Sequence, residues 1–78
     1  MTFYGEFQVG DYLRYKNNYG IIEDIFYDSE NEMTIKVEWY IIDVKKQRVK
    51  GTETKYHSRE LMYSAEKVDK SAVMVELI

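Results

Sequence analysis

Residues 33 to 44, MTIKVEWYIIDV, carry the strongest pattern in the chain and contain its only tryptophan, Trp39. Up to Trp39, apolar side chains occupy every second position and mostly polar side chains lie between them. Successive side chains of a strand point to opposite faces of a sheet, so this alternation predicts a half-buried, central β-strand. From residue 40 onward both phases are apolar. The second half of the strand is therefore expected to be covered on both faces or to present a surface that a partner binds.

Shorter segments of the same character flank this strand. The predicted strands are residues 12–16, 21–27, 33–44, 52–56 and 71–78. The predicted connections are polar turns at 17–20 and 28–32, a charged loop at 45–51, and a loop or single helical turn at 64–69. The mixed apolar phase of residues 21–27 predicts a β-bulge or coverage on both sides. Ser58 is a candidate cap for one helical turn.

The fold class follows from these short strands and from the lack of a long helical pattern. No segment shows the roughly ten residues of 3.6-residue periodicity that a packed helix needs. About five strands with at most one or two short helical turns predict an all-β fold, a small SH3-like barrel forming a single domain over residues 1–78. The chain has no cysteine but has eight Tyr, three Phe and one Trp. Apolar and aromatic packing must therefore stabilise it.

Charge and hydropathy exclude several classes of protein. The formal net charge of −3 argues against a protein that coats nucleic acid nonspecifically. The uncharged apolar runs are too short for a signal peptide or a membrane span, so we expect a soluble intracellular protein without a membrane partner. Acidic residues gather within 23–32, and a basic cluster follows later. The basic cluster is Lys45, Lys46, Arg48 and Lys50. Both clusters are interpreted as solvated loops or, alternatively, as an interaction surface with two opposite faces.

Motifs typical of catalytic sites are missing from the sequence. It contains no glycine-rich phosphate loop, no thiol, and no carboxylate–histidine spacing suited to a metal. The single histidine, His57, is expected to lie at the surface or to make a hydrogen bond. We therefore expect no catalytic residue, no cofactor and no metal site, and the chain is not expected to be an enzyme.

Four segments resemble a known family in their order and spacing. They are Val9-Gly10-Asp11-Tyr12-Leu13, Ile22-Glu23-Asp24-Ile25, Ile35-Lys36-Val37-Glu38-Trp39-Tyr40 and Arg59-Glu60-Leu61-Met62-Tyr63-Ser64. Over most of residues 7–78 this arrangement resembles bromo-adjacent homology (BAH) domains. The resemblance implies a BAH-like barrel, a chromatin-associated protein partner and a nuclear location. Without it, a cytoplasmic location is expected.

Several BAH domains bind a methylated histone lysine in an aromatic cage, because a methylated ammonium is weakly hydrated and attracted to ring faces. By resemblance, the candidate cage residues are Trp39 and Tyr19, with Tyr63 or Tyr12 as further members. The residues themselves favour a core position for Trp39. Tyr19 lies beside Gly20 in a predicted turn and is expected to be exposed.

Three binding hypotheses remain. The first is a BAH-like interaction module that uses Tyr19, Tyr63 and Trp39 together with an apolar strip that could also be barrel core or a homodimer seam. The strip is Tyr40, Ile42 and Val44. The second is an SH3-like accessory protein of nucleic acid or of a transcription complex, acting through the basic cluster. The third is a small phage-type or mobile-element inhibitor of a host protein, with an acidic surface that mimics DNA; a 78-residue chain starting at Met1 is compatible with it.

Overall fold

The computed structural model describes residues 3–4, 7–43, 45–46, 48–71 and 73. The strands are β1 (Phe3–Tyr4), β2 (Phe7–Gln8), β3 (Tyr12–Tyr15), β4 (Asn18–Tyr27), β5 (Met33–Asp43), β6 (Arg48–Ser58) and β7 (Glu66–Val68), and the helix is α1 (Leu61–Ser64). An antiparallel five-stranded sheet has the order β6-β5-β4-β3-β7, and β1 pairs with β2 in a separate ribbon. The predicted all-β fold with short helical turns is confirmed.

The tryptophan-containing segment forms β5, as its alternation predicts. Met33, Ile35, Val37 and Trp39 are buried, and the residues between them are half-buried. This strand pairs with β4 on one side and β6 on the other, so it lies inside the sheet. The middle position of the sheet belongs to β4, however, because β3 and β7 extend the sheet beyond β4.

The turn of the β3–β4 hairpin is shorter than the predicted turn at 17–20 and begins one residue earlier, at Lys16. Lys16 and Asn17 have positive φ values of 49° and 66° and connect the paired residues Tyr15 and Asn18. Two successive positive φ values are typical of a two-residue type I′ hairpin, whose twist matches that of the strands. Tyr19 therefore belongs to β4 and not to the turn.

The bulge predicted for residues 21–27 is confirmed in β4. The pairing of β4 with β5 shifts register between Ile22 and Asp24, which leaves Glu23 as the extra residue. Because of this extra residue, Ile22 and Ile25 are both buried although they are three positions apart. The bulge thus explains the mixed apolar phase of the segment.

The polar connection at 28–32 is also confirmed, and Asp28 organises it. The Asp28 carboxylate Oδ1 accepts hydrogen bonds from the backbone N–H groups of Glu30 and Glu32, each at 2.9 Å. Asn31 has a φ of 62°, a left-handed conformation that asparagine tolerates. The conformation of the connection is therefore stabilised by hydrogen bonds within the connection.

The predicted charged loop at 45–51 is wrong beyond its first residues. Only Lys45 and Lys46 are described as a turn, and their backbone N–H groups donate to the Asp43 carboxylate. From Arg48 the chain continues as β6, opposite Asp43. The charged residues from Arg48 onward form a strand because their backbone pairs with β5, and their side chains can remain exposed to solvent.

Ser58 does not cap the helical turn. It is the last residue of β6, and the cap position of α1 is held by Glu60, which makes no side-chain capping bond. The loop predicted at 64–69 contains β7, which pairs antiparallel with β3. Both errors come from pairings between segments far apart in sequence, which local patterns do not reveal.

The closing strand predicted at 71–78 is wrong where the chain is described. Residues 70, 71 and 73 are helical, and the N–H of Val73 donates to the Asp69 carbonyl at 3.2 Å. Val73 is fully buried. One helical turn is enough to place this side chain against the sheet, so the alternation of the segment was misleading. Residues 74–78 lie outside the described residues.

Hydrophobic clusters pack on both faces of the sheet. The larger contains Phe7, Leu13, Ile22, Ile25, Met33, Ile35, Val37, Trp39, Leu61 and Met62. The second contains Tyr19 and Val73, with Tyr12, Tyr40, Ile42 and Val68 packed against it. We call this second group the tyrosine cluster. In the second half of β5, the face that carries Tyr40 and Ile42 is therefore partly covered by the tyrosine cluster.

Candidate functional site

A cavity of about 240 Å³ opens beside Trp39. It is lined by Tyr15, Asn18, Trp39, Tyr40, Glu53, Lys55 and His57. The β3–β4 hairpin contributes Tyr15 and Asn18 from its turn end, and β6 contributes the last three residues. The register places Glu53 directly opposite Trp39, so the strand pairing itself brings a carboxylate beside the indole.

The Trp39 side chain is held in place by His57. The indole Nε1–H donates a hydrogen bond to His57 Nε2 at 2.9 Å, and the two rings meet edge to face with centroids 5.6 Å apart. Burial, followed by the nearby charge of Lys55, lowers the pKa of His57 below its usual 6.5. The neutral imidazole, with its proton on Nδ1, is the form that can accept from Trp39.

Gly20 makes room for the indole. A Cβ atom at this position would lie 2.8 Å from Trp39 Cε3 and 2.8 Å from Val37 Cγ1. The Cα partner of Gly20 across the strands is Trp39, so the missing side chain lets the ring lie over β4. The glycine of this segment is needed for close packing and not for a turn.

Charged groups surround the aromatic walls of the cavity. Glu53 and Lys55 form an ion pair at 3.9 Å, with both side chains more than half exposed. The ammonium of Lys16 lies 5.3 Å from the centroid of the Tyr15 ring. One wall of the cavity thus already makes a cation–π contact with a lysine of the same chain.

A second cavity of about 290 Å³ shares two lining residues with the first, Tyr15 and His57. Its other lining residues are Ser58, Glu60, Leu61 and Ser64. We call the two cavities together the Trp39 groove. The groove has aromatic walls and a carboxylate in each part, Glu53 in one and Glu60 in the other.

The predicted aromatic residues are distributed over different parts of the molecule. Trp39 is 8% exposed, which confirms its core position, and it also lines the groove. The predicted exposure of Tyr19 is wrong: this side chain is also only 8% exposed and packs in the tyrosine cluster with Tyr12. Tyr63 is 67% exposed and is not one of the residues lining the groove. Of the tyrosines in the β3–β4 hairpin, Tyr15 lines the groove with Trp39, and Tyr19 does not.

The apolar strip after Trp39 belongs to the tyrosine cluster. Tyr40 and Ile42 are half-buried and pack against Tyr19 and Val73. Burial raises the pKa of Tyr40, and Tyr12 raises it further. Val44 lies outside the described residues. The strip is therefore a partly covered face, not an open surface.

The cationic residues of the basic cluster lie together at one end of the molecule. Lys45 and Lys46 form the turn between β5 and β6, Arg48 and Lys50 follow in β6, and all four are exposed. The acidic connection at 28–32 precedes β5. Since β5 has eleven residues, the acidic and basic ends of the β5–β6 hairpin are separated by about 35 Å.

Sequence patterns did not reveal several residues of the groove. Glu53, Lys55 and His57 alternate with Thr54 and Tyr56, a signal that could have placed the first three on one face had the strand been extended to Ser58. Tyr15 shares the phase of buried Leu13 in the strand predicted at 12–16, and this pattern does not distinguish a core side chain from one that lines a groove. The hydrogen bond between the Trp39 and His57 side chains joins residues eighteen positions apart in the sequence, and no local pattern predicts it.

In the described part of the chain, no group of three or more His, Cys, Asp or Glu side chains is arranged to hold a metal ion. No helix among the described residues is long and apolar enough to cross a membrane. A scan against protein-family models and searches of curated proteins and of solved structures found no match to the chain.

Proposed function

We propose that the protein is a non-enzymatic, BAH-like interaction module that takes a cationic side chain of a protein partner into the Trp39 groove. The observation that carries this proposal is the composition of the first cavity, in which Tyr15, Trp39 and His57 surround a space that also contains the Glu53 carboxylate. Ring faces attract a weakly hydrated cation, and a nearby carboxylate adds direct attraction.

The size and charge of the cavity favour a lysine-like ligand. About 240 Å³ accommodates an alkyl ammonium together with part of its aliphatic chain. Lys16 already contacts the Tyr15 ring as a cation. A methylated ammonium fits best, because its weaker hydration lowers the cost of leaving water. A methylated lysine on a histone is the partner that the BAH resemblance favours.

The residues that carry the BAH resemblance support the same location. Trp39 and Tyr40 come from the third segment of the resemblance, and Glu60, Leu61 and Ser64 come from the fourth. Segments distant in sequence thus line one groove. The cage proposed here uses Tyr15 and His57 with Trp39.

A peptide-binding experiment tests this proposal. Fluorescein-labelled ten-residue peptides with one central lysine, trimethyl-lysine or norleucine are titrated with the protein, and anisotropy gives the dissociation constants. We expect trimethyl-lysine to bind more tightly than lysine and norleucine to bind at least tenfold more weakly than trimethyl-lysine, because it lacks the charge. Equal binding of the norleucine and trimethyl-lysine peptides would contradict a cation site.

Variants locate the binding. Glu53→Gln removes one charge at the groove and Tyr15→Ala removes one ring, and each is expected to weaken trimethyl-lysine binding several-fold. Tyr27→Ala is the matched control, since Tyr27 is 61% exposed and lies at the opposite end of β4 from Asn18. A loss of binding in the control as large as in Tyr15→Ala would argue against this location.

The exposed basic cluster favours a second candidate function, binding of nucleic acid at the end of the β5–β6 hairpin. The turn that carries Lys45 and Lys46 lies about 35 Å from the acidic connection, so a phosphate backbone could approach this end of the hairpin without meeting that acidic segment. Titration of a labelled 20-base-pair DNA at 50 and 200 mM salt tests this candidate. We expect salt-sensitive binding that Lys45→Glu with Lys46→Glu abolishes, and no binding at either salt concentration would remove it.

A further inference from the structure

β6 forms one edge of the five-stranded sheet along its whole length. It contains eleven residues, and among the described residues it pairs only with β5. Nearly every residue of β6 is exposed, including the apolar Val49 at 37% and Tyr56 at 62%. A long outer strand offers a row of backbone donors and acceptors to another strand.

The side chains of β6 carry a charge pattern that selects a partner. Proteins commonly protect such edges with charged side chains, above all lysine, and like charges directly opposite repel a second copy. Here Glu53 and Lys55 have opposite signs, share one face of the strand, and flank Thr54. A strand with this pattern is complementary in charge to an antiparallel second copy of itself.

We propose that the protein forms a homodimer in which the β6 strands of two copies pair antiparallel about a twofold axis at Thr54. In this register Glu53 lies opposite the partner's Lys55, and Lys55 lies opposite the partner's Glu53. Directly opposite pairs have Cβ atoms about 4.5–5.5 Å apart and stabilise a sheet when their charges differ. Thr52 lies opposite the partner's Tyr56, a pair of β-branched and aromatic side chains that also favours pairing.

Neighbouring registers lack this complementarity. An axis at Glu53 would place the two glutamates opposite each other, and an axis at Lys55 would do the same with the two lysines. Like charges directly opposite destabilise an antiparallel pair. The axis at Thr54 is therefore the register that the charges of the middle of β6 favour.

The dimer would join the two sheets into one of ten strands. An axis perpendicular to the sheet keeps equivalent faces on the same side, so the two Trp39 grooves would lie on one face, on either side of the axis. This proposal goes beyond the proposed function and does not rest on it, because it depends on the edge of β6 and not on a ligand in the groove.

Charge reversal with mixing tests the proposal. Sedimentation velocity of the wild-type chain from 1 µM to 1 mM is expected to show a reversible monomer–dimer equilibrium. Glu53→Lys and Lys55→Glu are each expected to raise the dimer dissociation constant about tenfold or more, since each places like charges opposite at two positions. An equimolar mixture of the two variants is expected to dimerise again, because every opposite pair is then oppositely charged.

The mixture separates the contact between copies from the ion pair within one chain. That internal pair is lost in both variants and stays lost in the mixture, so restored dimerisation can only come from pairing between copies. Glu32→Lys is the control, with the same charge change at an exposed residue before β5, and should leave the dissociation constant within twofold of wild type.

Hydrogen exchange on the wild-type chain provides a measurement that needs no variant. Alternate amides of β6, those whose N–H groups point away from β5, are expected to exchange more slowly as the protein concentration rises. The proposal is overturned by a monomer at every concentration, by a mixture that stays monomeric, or by exchange in β6 that does not depend on concentration.

Discussion

The indole Nε1–H of Trp39 donates to His57 Nε2 at 2.9 Å, and this bond joins the only tryptophan to the only histidine of the chain. The acceptor nitrogen must be unprotonated, so the bond exists with the neutral imidazole and not with the imidazolium. Both residues line the groove. The protonation state of His57 is therefore linked to the position of the Trp39 indole in the groove.

Acidification below about pH 6.5 is expected to destabilise the protein through His57. Burial and Lys55 lower the pKa of His57 in the folded state, so just below its ordinary pKa this side chain binds more protons in the unfolded chain than in the folded chain. The contribution is complete above the ordinary pKa of about 6.5 and is lost as the pH falls through the lowered value. Urea unfolding at half-unit pH intervals measures it.

The matched variant for this pH dependence is His57→Gln. Glutamine can still accept from Trp39 through its amide oxygen but does not titrate in this range. The slope of unfolding free energy against pH between 5 and 7 should therefore become flatter than in wild type. An unchanged slope would show that other groups cause it.

Gly20→Ala is expected to destabilise the protein by about 1–3 kcal/mol or more, since the new methyl group overpacks a filled site. The added Cβ would lie 2.8 Å from both Trp39 and Val37 side-chain atoms. Gly51→Ala is the control, because nothing lies within 4 Å of the corresponding Cβ. Chemical denaturation of both variants checks the prediction, and equal effects would contradict the close packing of the indole on β4.

Trp39→Ala is expected to cost about 3–5 kcal/mol and to leave most of so small a domain unfolded. The side chain is 8% exposed within the larger cluster, so its removal leaves a cavity and an unpaired His57 acceptor. Circular dichroism and thermal unfolding measure the loss. A folded variant with unchanged melting would refute the core position of Trp39.

Val73→Ala tests the helical turn that replaces the predicted final strand. Val73 is fully buried in the tyrosine cluster, and loss of its two methyl groups should cost about 1–2 kcal/mol. Ser71→Ala is the control, as Ser71 is exposed in the same turn and should change stability by less than about 0.5 kcal/mol. Equal effects of the two variants in thermal unfolding would indicate that this turn does not pack as described.

Sequence patterns predicted those parts of the fold that depend on local alternation. The buried phase of β5 and the bulge at Glu23 follow from the side chains themselves, because a half-buried strand has a period of two and a bulge breaks it. The ends of β6 and the existence of β7 depend on their partners β5 and β3. Pairing of this kind overrides the polar composition of both segments.

The groove was harder to predict than the fold. Trp39 was recognised, but its neighbours Tyr15 and His57 come from other strands, and only the register of the sheet brings them together. The sequence predicts an exposed Tyr19 because this residue lies beside Gly20 in the turn predicted at 17–20. In the hairpin, the turn ends at Asn17, and Tyr19 packs on the opposite face beneath Val73.

The most direct test of the proposed function follows one signal, the indole N–H cross peak of Trp39 in a ¹H–¹⁵N spectrum. The chain has a single tryptophan, so the assignment is unambiguous. We predict that the trimethyl-lysine peptide shifts this peak in a saturable manner and that the norleucine peptide at equal concentration does not. An indole peak that stays in place while the trimethyl-lysine peptide binds would contradict the Trp39 groove as the binding site.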